Sequence, residues 1–95
     1  MDIFEVILSK KVEKTLVELP AHITLKLLGW VKTVKEFGLN ATRKIPGYHD
    51  EPVKDKARKG QRTIRLNKGY RAFYVIDENQ EIHFIEVIEV NKHEY

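Results

Sequence analysis

The hydrophobic positions in the first 40 residues follow a strand pattern and then a helix pattern. Residues 4–8 alternate as a short strand does, and Ser9 after them is a typical helix-capping residue. The helix that Ser9 would cap runs to about Leu19, and Pro20 fits the first turn of a second helix. In that second helix apolar residues recur every three or four positions up to Gly38, which stands where a C-terminal capping glycine belongs. The pattern predicts a strand followed by a helical hairpin.

The rest of the chain is a long irregular segment followed by three strands. Residues 39–60 contain prolines and many charges and follow neither period, which indicates a long loop with at most one short turn of structure. Strands are predicted at 61–67, 70–76 and 81–90, and the last is apolar on both faces, as a central strand is. The element order is therefore β-α-α-β-β-β. It predicts an α+β fold, an antiparallel sheet with a helical hairpin on one face.

Alternation along the predicted strands decides which side chains face away from the helices. If Ile64 and Leu66 face the helices, Arg65 faces the open side of the sheet. The pattern does not fix whether Arg71 shares that face; if it does, two guanidinium groups converge near one hairpin. A guanidinium offers a planar fork of donors that matches phosphate oxygens. The alternative is that both arginines pair with glutamates of the last strand.

Length, composition and missing cysteine narrow the class of protein. The 95 residues, 42% of them hydrophobic, fit one ordered domain spanning residues 1–95. With no cysteine, disulfides, thiolate metal sites and cysteine nucleophiles are excluded. The N-terminus is unlike a signal peptide, and no apolar run is long enough to span a bilayer. We therefore expect a cytoplasmic protein without membrane contact.

The net charge of +3 is small, but the charges are distributed unevenly. A basic stretch with a single acid, Asp55, contains Lys54, Lys56, Arg58, Lys59, Arg62, Arg65, Lys68 and Arg71. After position 76 most of the charged residues are acidic. A concentrated basic stretch in a small domain indicates a polyanionic partner, although a solvated basic loop has the same composition.

Histidines and absent motifs bear on the kind of chemistry. His93, near the C-terminal end, is of the type that transfers protons near neutral pH, but a single histidine there is also a common idle tail residue. His49, in the long loop, is a second candidate for contact with a substrate. The chain has no phosphate-loop, dinucleotide-binding, serine-hydrolase or zinc-protease motif. Its histidines lack metal-ligand spacing, so we expect no metal and no other cofactor.

The last third of the chain resembles the RelE/ParE superfamily of bacterial toxins from type II toxin–antitoxin systems. The resemblance rests on TIRLNKGYR at 63–71 and VNKHEY at 90–95. In that superfamily a strand with a basic residue leads through a tight turn to Tyr-Arg or Trp-Arg, and a closing strand delivers a catalytic basic or aromatic residue. The similarity is closest to the HigB-, YoeB- and YafQ-like mRNA interferases. It implies the RelE-like fold and a single toxin domain.

The resemblance implies a metal-independent endoribonuclease that cuts mRNA in the ribosomal A site by attack of the RNA 2′-OH. Since RNA carries this nucleophile itself, the protein supplies only a base, an acid and positive charge. The implied catalytic residues are His93 as general acid or base, Arg65 and Arg71 at the transition state, Tyr95 at a base and Lys54 at the scissile phosphate. Further RNA contacts are expected from Lys56, Arg58, Lys59, Arg62, Lys68 and His49. Glu94 separates His93 from Tyr95, whereas family members with both residues often have them side by side.

The implied partners are a cognate antitoxin protein, mRNA and the ribosomal RNA around the A site. The toxin would be a monomer or part of a toxin–antitoxin complex. The alternative function is that of a ParE-like toxin, which binds DNA gyrase and has no nuclease activity, because both kinds of toxin share the fold. A proton carrier at His93 favours the nuclease. A basic nucleic-acid-binding module without toxicity is a third possibility.

Overall fold

A computed structural model describes residues 2–90 of the chain, which begin with one strand and three helices. The strand is β1 (Glu5–Leu8), and the helices are α1 (Lys10–Glu18), α2 (Ala21–Phe37) and α3 (Leu39–Arg43). The predicted cap of α1 is confirmed, because the Ser9 hydroxyl accepts the Val12 N–H at 3.1 Å. The glycine between α2 and α3 has φ +88°, which suits it to end one helix and begin the next at a new angle.

The second half of the chain supplies four further strands. Two 3₁₀ turns, Pro46–Tyr48 and Lys56–Arg58, flank the two-residue strand β2 (Glu51–Pro52), and the three long strands are β3 (Arg62–Asn67), β4 (Tyr70–Ile76) and β5 (Glu81–Glu89). The segment predicted to be a long loop therefore contains α3, two turns and β2. Pieces of two to five residues are too short to show a period, so the sequence pattern does not reveal them.

The strands form one sheet in the order β1-β5-β4-β3-β2. The predicted α+β fold, with helices on one face of a sheet, is confirmed. The sheet is mixed, however, rather than purely antiparallel, because β1 runs parallel to β5. Side chains alternate in the same way in either direction, so the pattern of β1 carries no information about its orientation. The pairing with β1 gives β5 a neighbour on each side, as predicted from its two apolar faces.

The core lies between the sheet and the helices and is centred on Trp30 of α2. The ring of Trp30 lies 5.2 Å from that of Tyr74 and 5.3 Å from that of Phe84, measured between centroids. Such tilted and edge-to-face aromatic contacts add to the stabilisation that burial provides. Buried side chains around this cluster come from α1, α2, β1, β3, β4 and β5. On the opposite face, called here the open face, the second 3₁₀ turn packs against the sheet through Arg58, which lies over the ring of Phe73 in β4.

A buried carboxylate holds the segment between α3 and β3 in place. The Asp50 side chain is fully buried; its Oδ1 accepts from Arg62 Nε at 2.8 Å and its Oδ2 from the Tyr74 hydroxyl at 2.5 Å. Burial, followed by the hydrogen bond to Asp50, raises the pKa of the Tyr74 hydroxyl. These contacts fix the backbone just before β2 and so determine where β2 joins the sheet.

None of the helices within residues 2–90 combines the length and the apolar character that crossing a membrane requires.

Candidate functional site

A pocket of about 490 Å³ lies on the open face of the sheet and is called here the sheet pocket. Its floor is formed by β3, β4 and β5, and its wall by the segment that contains β2 and the second 3₁₀ turn. The lining residues are Glu51, Pro52, Val53, Lys54, Asp55, Arg58, Thr63, Arg71, Phe73, Ile88 and Val90. An apolar floor with a few charged groups around it is the usual composition of a ligand pocket.

Arg65 and Arg71 stand directly opposite each other in the β3–β4 ladder. Directly opposite residues share a face, and Ile64 and Ala72 beside them are fully buried against the helices, so both arginines lie on the open face. Arg71 therefore shares the open face with Arg65, which is the condition under which the two guanidinium groups are expected from the sequence to converge. Of the two, Arg71 lines the sheet pocket, and its side chain is only 12% exposed.

Glu51 is a site residue that sequence reasoning missed. Its carboxylate lines the sheet pocket, and its Oε1 lies 4.0 Å from Arg71 Nη1. The Glu51 side chain is 58% exposed and so remains open to a ligand. Nothing in the local pattern marks it, because its position depends on the pairing of a two-residue strand with Thr63 of β3.

Arg58 forms one side of the sheet pocket and is held by three neighbours. Its Cζ lies 3.9 Å from the centroid of the Phe73 ring, and its Nη1 donates to Gln61 Oε1 at 3.0 Å. Its other terminal nitrogen forms an ion pair with Glu86, which also binds Lys11 Nζ at 3.1 Å. The hydrogen bond from Arg58 is the main cause that lowers the pKa of Glu86. Glu86, a glutamate of the last strand, thus pairs with Arg58 and Lys11, and Arg71 lies beside Glu51.

The remaining predicted cations lie at different distances from the sheet pocket, and only one of them lines it. Lys54 lines it, while Lys56 and Lys59 are exposed in and beside the second 3₁₀ turn. Lys68 is exposed at the turn between β3 and β4. His49 is exposed with φ +47°, in the left-handed region, just before the buried Asp50.

Arg62 lies away from this group. It stands opposite the buried Tyr74 in the β3–β4 ladder and binds the buried Asp50, so it faces the helices. This placement gives Arg62 a structural partner, and its predicted contact with RNA gains no support from it. Two further predicted residues, His93 and Tyr95, lie outside the described residues.

A group of possible metal ligands lies at the other end of β4 and β5. The residues are Asp77, Glu81 and His83. Each offers one ligand atom, and these three atoms lie within 4.8 Å of one another. The Asp77 carboxylate already accepts the backbone N–H groups of Asn79 and Glu81 and approaches His83 Nε2 at 2.6 Å. These hydrogen bonds lower the pKa of Asp77, with that from Glu81 as the largest cause. Their pattern is that of an Asx turn, which accounts for the cluster by itself.

No protein-family model matches the chain, and no curated protein matches it significantly. Several solved structures share its fold. A chain of the archaeal RelE–RelB complex from Pyrococcus horikoshii OT3 has a TM-score of 0.70 and 17% identity, covering 97% of this chain and 99% of that one. The YoeB dimer from Staphylococcus aureus has a TM-score of 0.65 and 13% identity, covering 93% and 97%. YafQ from Escherichia coli has a TM-score of 0.66 and 17% identity, covering 90% and 91%. The RelE-like fold that the sequence implied is therefore confirmed.

Proposed function

We propose that this chain is the toxin of a type II toxin–antitoxin system and cuts mRNA on the ribosome without a metal ion. The observation that carries the proposal is the meeting of Arg71, Lys54 and Glu51 at one pocket on the open face of a RelE-like sheet. Two cations and a carboxylate are the groups needed to move a phosphoryl group when the nucleophile belongs to the RNA.

The proposed reaction is transfer of the phosphorus from the 5′-oxygen of one nucleotide to the 2′-oxygen of its neighbour. Glu51 takes the proton from the attacking 2′-OH, and the P–O bond to the 5′-oxygen breaks as the new bond to the 2′-oxygen forms. Arg71 and Lys54 stabilise the charge that develops on the phosphoryl oxygens. His93 donates a proton to the departing 5′-oxygen. The products are a 2′,3′-cyclic phosphate and a 5′-hydroxyl end.

The surrounding residues bind and place the RNA. Arg65, opposite Arg71 in the ladder, extends the positive field along the open face. The exposed lysines Lys56, Lys59 and Lys68, together with His49, contact phosphates of mRNA and ribosomal RNA. Tyr95 holds a base of the codon by stacking.

The proposal includes a cognate antitoxin in the cytoplasm, where the ribosomes are. One of the solved structures with this fold is a RelE–RelB complex. An antitoxin segment that covers the sheet pocket would carry acidic residues, since the exposed cations around the pocket require a complementary charge. Coexpression with such a protein is expected to restore growth that the chain alone arrests.

The test is to map mRNA 5′ ends after brief expression of the chain in bacteria. Cuts at fixed positions within translated codons, with 5′-hydroxyl ends, support the proposal. Because ribosomes need Mg²⁺ to stay assembled, metal independence is tested on a short single-stranded RNA that contains the cut site, which the purified chain should cut at the same rate in Mg²⁺ and in a metal chelator. Arg71→Gln should stop the cuts, whereas Lys32→Gln, exposed on α2, should leave them unchanged. Intact mRNA together with DNA breaks would replace the nuclease with a gyrase-binding toxin.

A further inference from the structure

Arg58 has a fixed orientation at the edge of the sheet pocket. The Phe73 ring lies beneath its guanidinium, the Glu86 carboxylate holds one terminal nitrogen, and Gln61 accepts from the other. Its side chain is only 24% exposed, while the lysines that follow β2 are exposed. A cation that is held at three points loses little conformational freedom when a ligand arrives.

The contacts of Arg58 leave one flat surface for a ligand. A guanidinium is planar and has two faces, and the face next to Phe73 is covered. Because Arg58 lines the sheet pocket and 24% of its side chain is exposed, its guanidinium can be reached from the pocket. Nucleobases that are splayed out of a single strand stack on aromatic rings and on arginine planes of this kind.

The charge of Arg58 makes a phosphate an unfavourable ligand for it. Glu86 lies against the guanidinium and also pairs with Lys11, so a phosphate that approaches Arg58 meets a carboxylate whose negative charge offsets part of the attraction. Stacking on the flat face requires no free positive charge and leaves the ion pair intact. Lys54 and Arg71 line the same pocket and are the phosphate-binding residues of the proposed reaction.

We propose that Arg58 is the platform on which one unstacked base of the bound RNA lies, and that Phe73 and Glu86 are its positioning residues. This inference rests on the proposed function, because it assigns the base-recognition part of the same pocket. It changes the role of Arg58 from a contact to the RNA backbone, which the sequence indicates, to a contact with a base.

The test compares binding of short single-stranded RNA with and without a base at one position. The oligonucleotides carry 2′-deoxy sugars at the cut site so that they cannot be cleaved, and an abasic site is moved along them one position at a time. For the unaltered protein, fluorescence anisotropy should show a position, besides the one that stacks on Tyr95, where removing the base weakens binding about fivefold or more, the size expected for one stacked base. In Arg58→Lys, which keeps the charge but has no plane, this difference should disappear. Arg43→Lys, the same exchange on α3, should retain it.

Variants of Phe73 separate the platform from its support. Phe73→Tyr keeps a ring under the guanidinium and should retain the difference, whereas Phe73→Leu should reduce it. The inference is overturned if Arg58→Lys retains the full difference, or if Phe73→Leu abolishes it while Arg58→Lys does not, since the base would then lie on the ring itself. It is also overturned if the unaltered protein shows no base-dependent position while it still cuts mRNA in cells, a result that leaves the proposed function standing. Absence of cuts in cells is the separate failure of the proposed function.

Discussion

Glu51 reaches Arg71 because of one pairing in a very short strand. It pairs with Thr63, which in turn stands opposite Phe73 on the pocket floor. This register brings the Glu51 carboxylate to 4.0 Å from the guanidinium of Arg71 while much of it stays exposed. A carboxylate held beside a cation, yet accessible, suits the transfer of a proton from a bound hydroxyl.

Replacing the Glu51 carboxylate with an amide should slow RNA cleavage. Glu51→Gln keeps the size of the side chain but cannot accept the proton, so we expect the cleavage rate to fall by roughly 10²- to 10⁴-fold. The measurement is the single-turnover rate on ribosome-bound mRNA. Glu78→Gln, in the exposed turn between β4 and β5, is the control and should keep the full rate. An unchanged rate in Glu51→Gln would remove this residue from the mechanism.

The Tyr74 hydroxyl should make the stability of the protein sensitive to alkaline pH. In the unfolded chain it ionises near pH 10, as free tyrosine does, whereas burial and the bond to Asp50 raise its pKa in the folded protein. The folded state thus keeps a proton that the unfolded state loses, so this contribution is complete below about pH 10 and declines as the pH rises further.

Tyr74→Phe should reduce that alkaline decline and weaken the protein at neutral pH. Tyr48, whose pKa burial also raises, keeps its own share of the decline. Loss of the hydrogen bond to Asp50 is expected to lower the free energy of unfolding at pH 7 by about 1–2 kcal/mol. Urea unfolding measured from pH 7 to about pH 11 gives both quantities. Tyr70→Phe, at the start of β4, should keep the decline. Equal slopes for the unaltered protein and Tyr74→Phe above pH 10 would show that another group causes it.

At the scale of elements, the connection between α2 and α3 is held by the side-chain carboxylate of Asp2. Asp2 Oδ1 accepts the N–H groups of Ile3 and Asn40, and Leu39 N donates to the Ile3 carbonyl at 2.8 Å. A Cβ on Gly38 would lie 2.1 Å from Asp2 Oδ2. The glycine therefore provides both the backbone angle and the space that this contact needs.

Gly38→Ala should destabilise the protein through strain and through the clash. The positive φ alone costs of order 1–3 kcal/mol for a residue with a Cβ, and displacement of Asp2 adds to it. Gly60→Ala separates the two effects, because that position has φ +86° but no atom within 4 Å of the new Cβ. Gly47→Ala, with open space and no positive φ, is the unstrained control. Denaturation midpoints should fall in the order Gly47→Ala, Gly60→Ala, Gly38→Ala, and an equal loss in the last two would exclude the clash.

Elements with several repeats of their period were predictable from sequence, and contacts between distant segments were not. The apolar period gave α1, α2 and β3 to β5, and strand alternation placed Arg65 on the open face. The same alternation places Arg62 on the side of Ile64, but only the folded structure shows that Arg62 forms an ion pair with Asp50 there. Glu51 and the contact between Arg58 and Phe73 depend on tertiary pairing, so no local pattern marks them. His93 and Tyr95 stay predictions, because they lie outside the described residues.

Considered as a whole, the molecule has an open face with opposite charges at its two ends. The basic sheet pocket lies at the end where β4 begins, and the turn with Asp77 and Glu81 lies where β4 ends. Glu5 of β1 is beside Glu81 in the sheet and adds to the acidic end. A polyanion that approaches this face is attracted at one end and repelled at the other, so the field favours one orientation of the RNA.

The salt dependence of RNA binding should show how many phosphate contacts each lysine of the basic end makes. Each phosphate contact to a single strand contributes about 0.7 to the slope of log affinity against log salt concentration. Lys56→Ala and Lys59→Ala should therefore each lower that slope by about 0.7 if each lysine meets one phosphate. Lys32→Ala, exposed on α2, should leave the slope unchanged. If the slope is the same in Lys56→Ala and Lys59→Ala as in the unaltered protein, the RNA binds elsewhere on the protein.

The position of β5 has a consequence for the synthesis of this protein. β5 is the last strand along the described chain, yet it lies between β1 and β4, and Ile88 and Val90 complete the floor and edge of the sheet pocket. A nascent chain that extends only to β4 has neither a partner for β1 nor a finished pocket. The pocket is thus complete only after β5 has left the ribosome and has inserted between β1 and β4, and a shorter nascent chain lacks the assembled site.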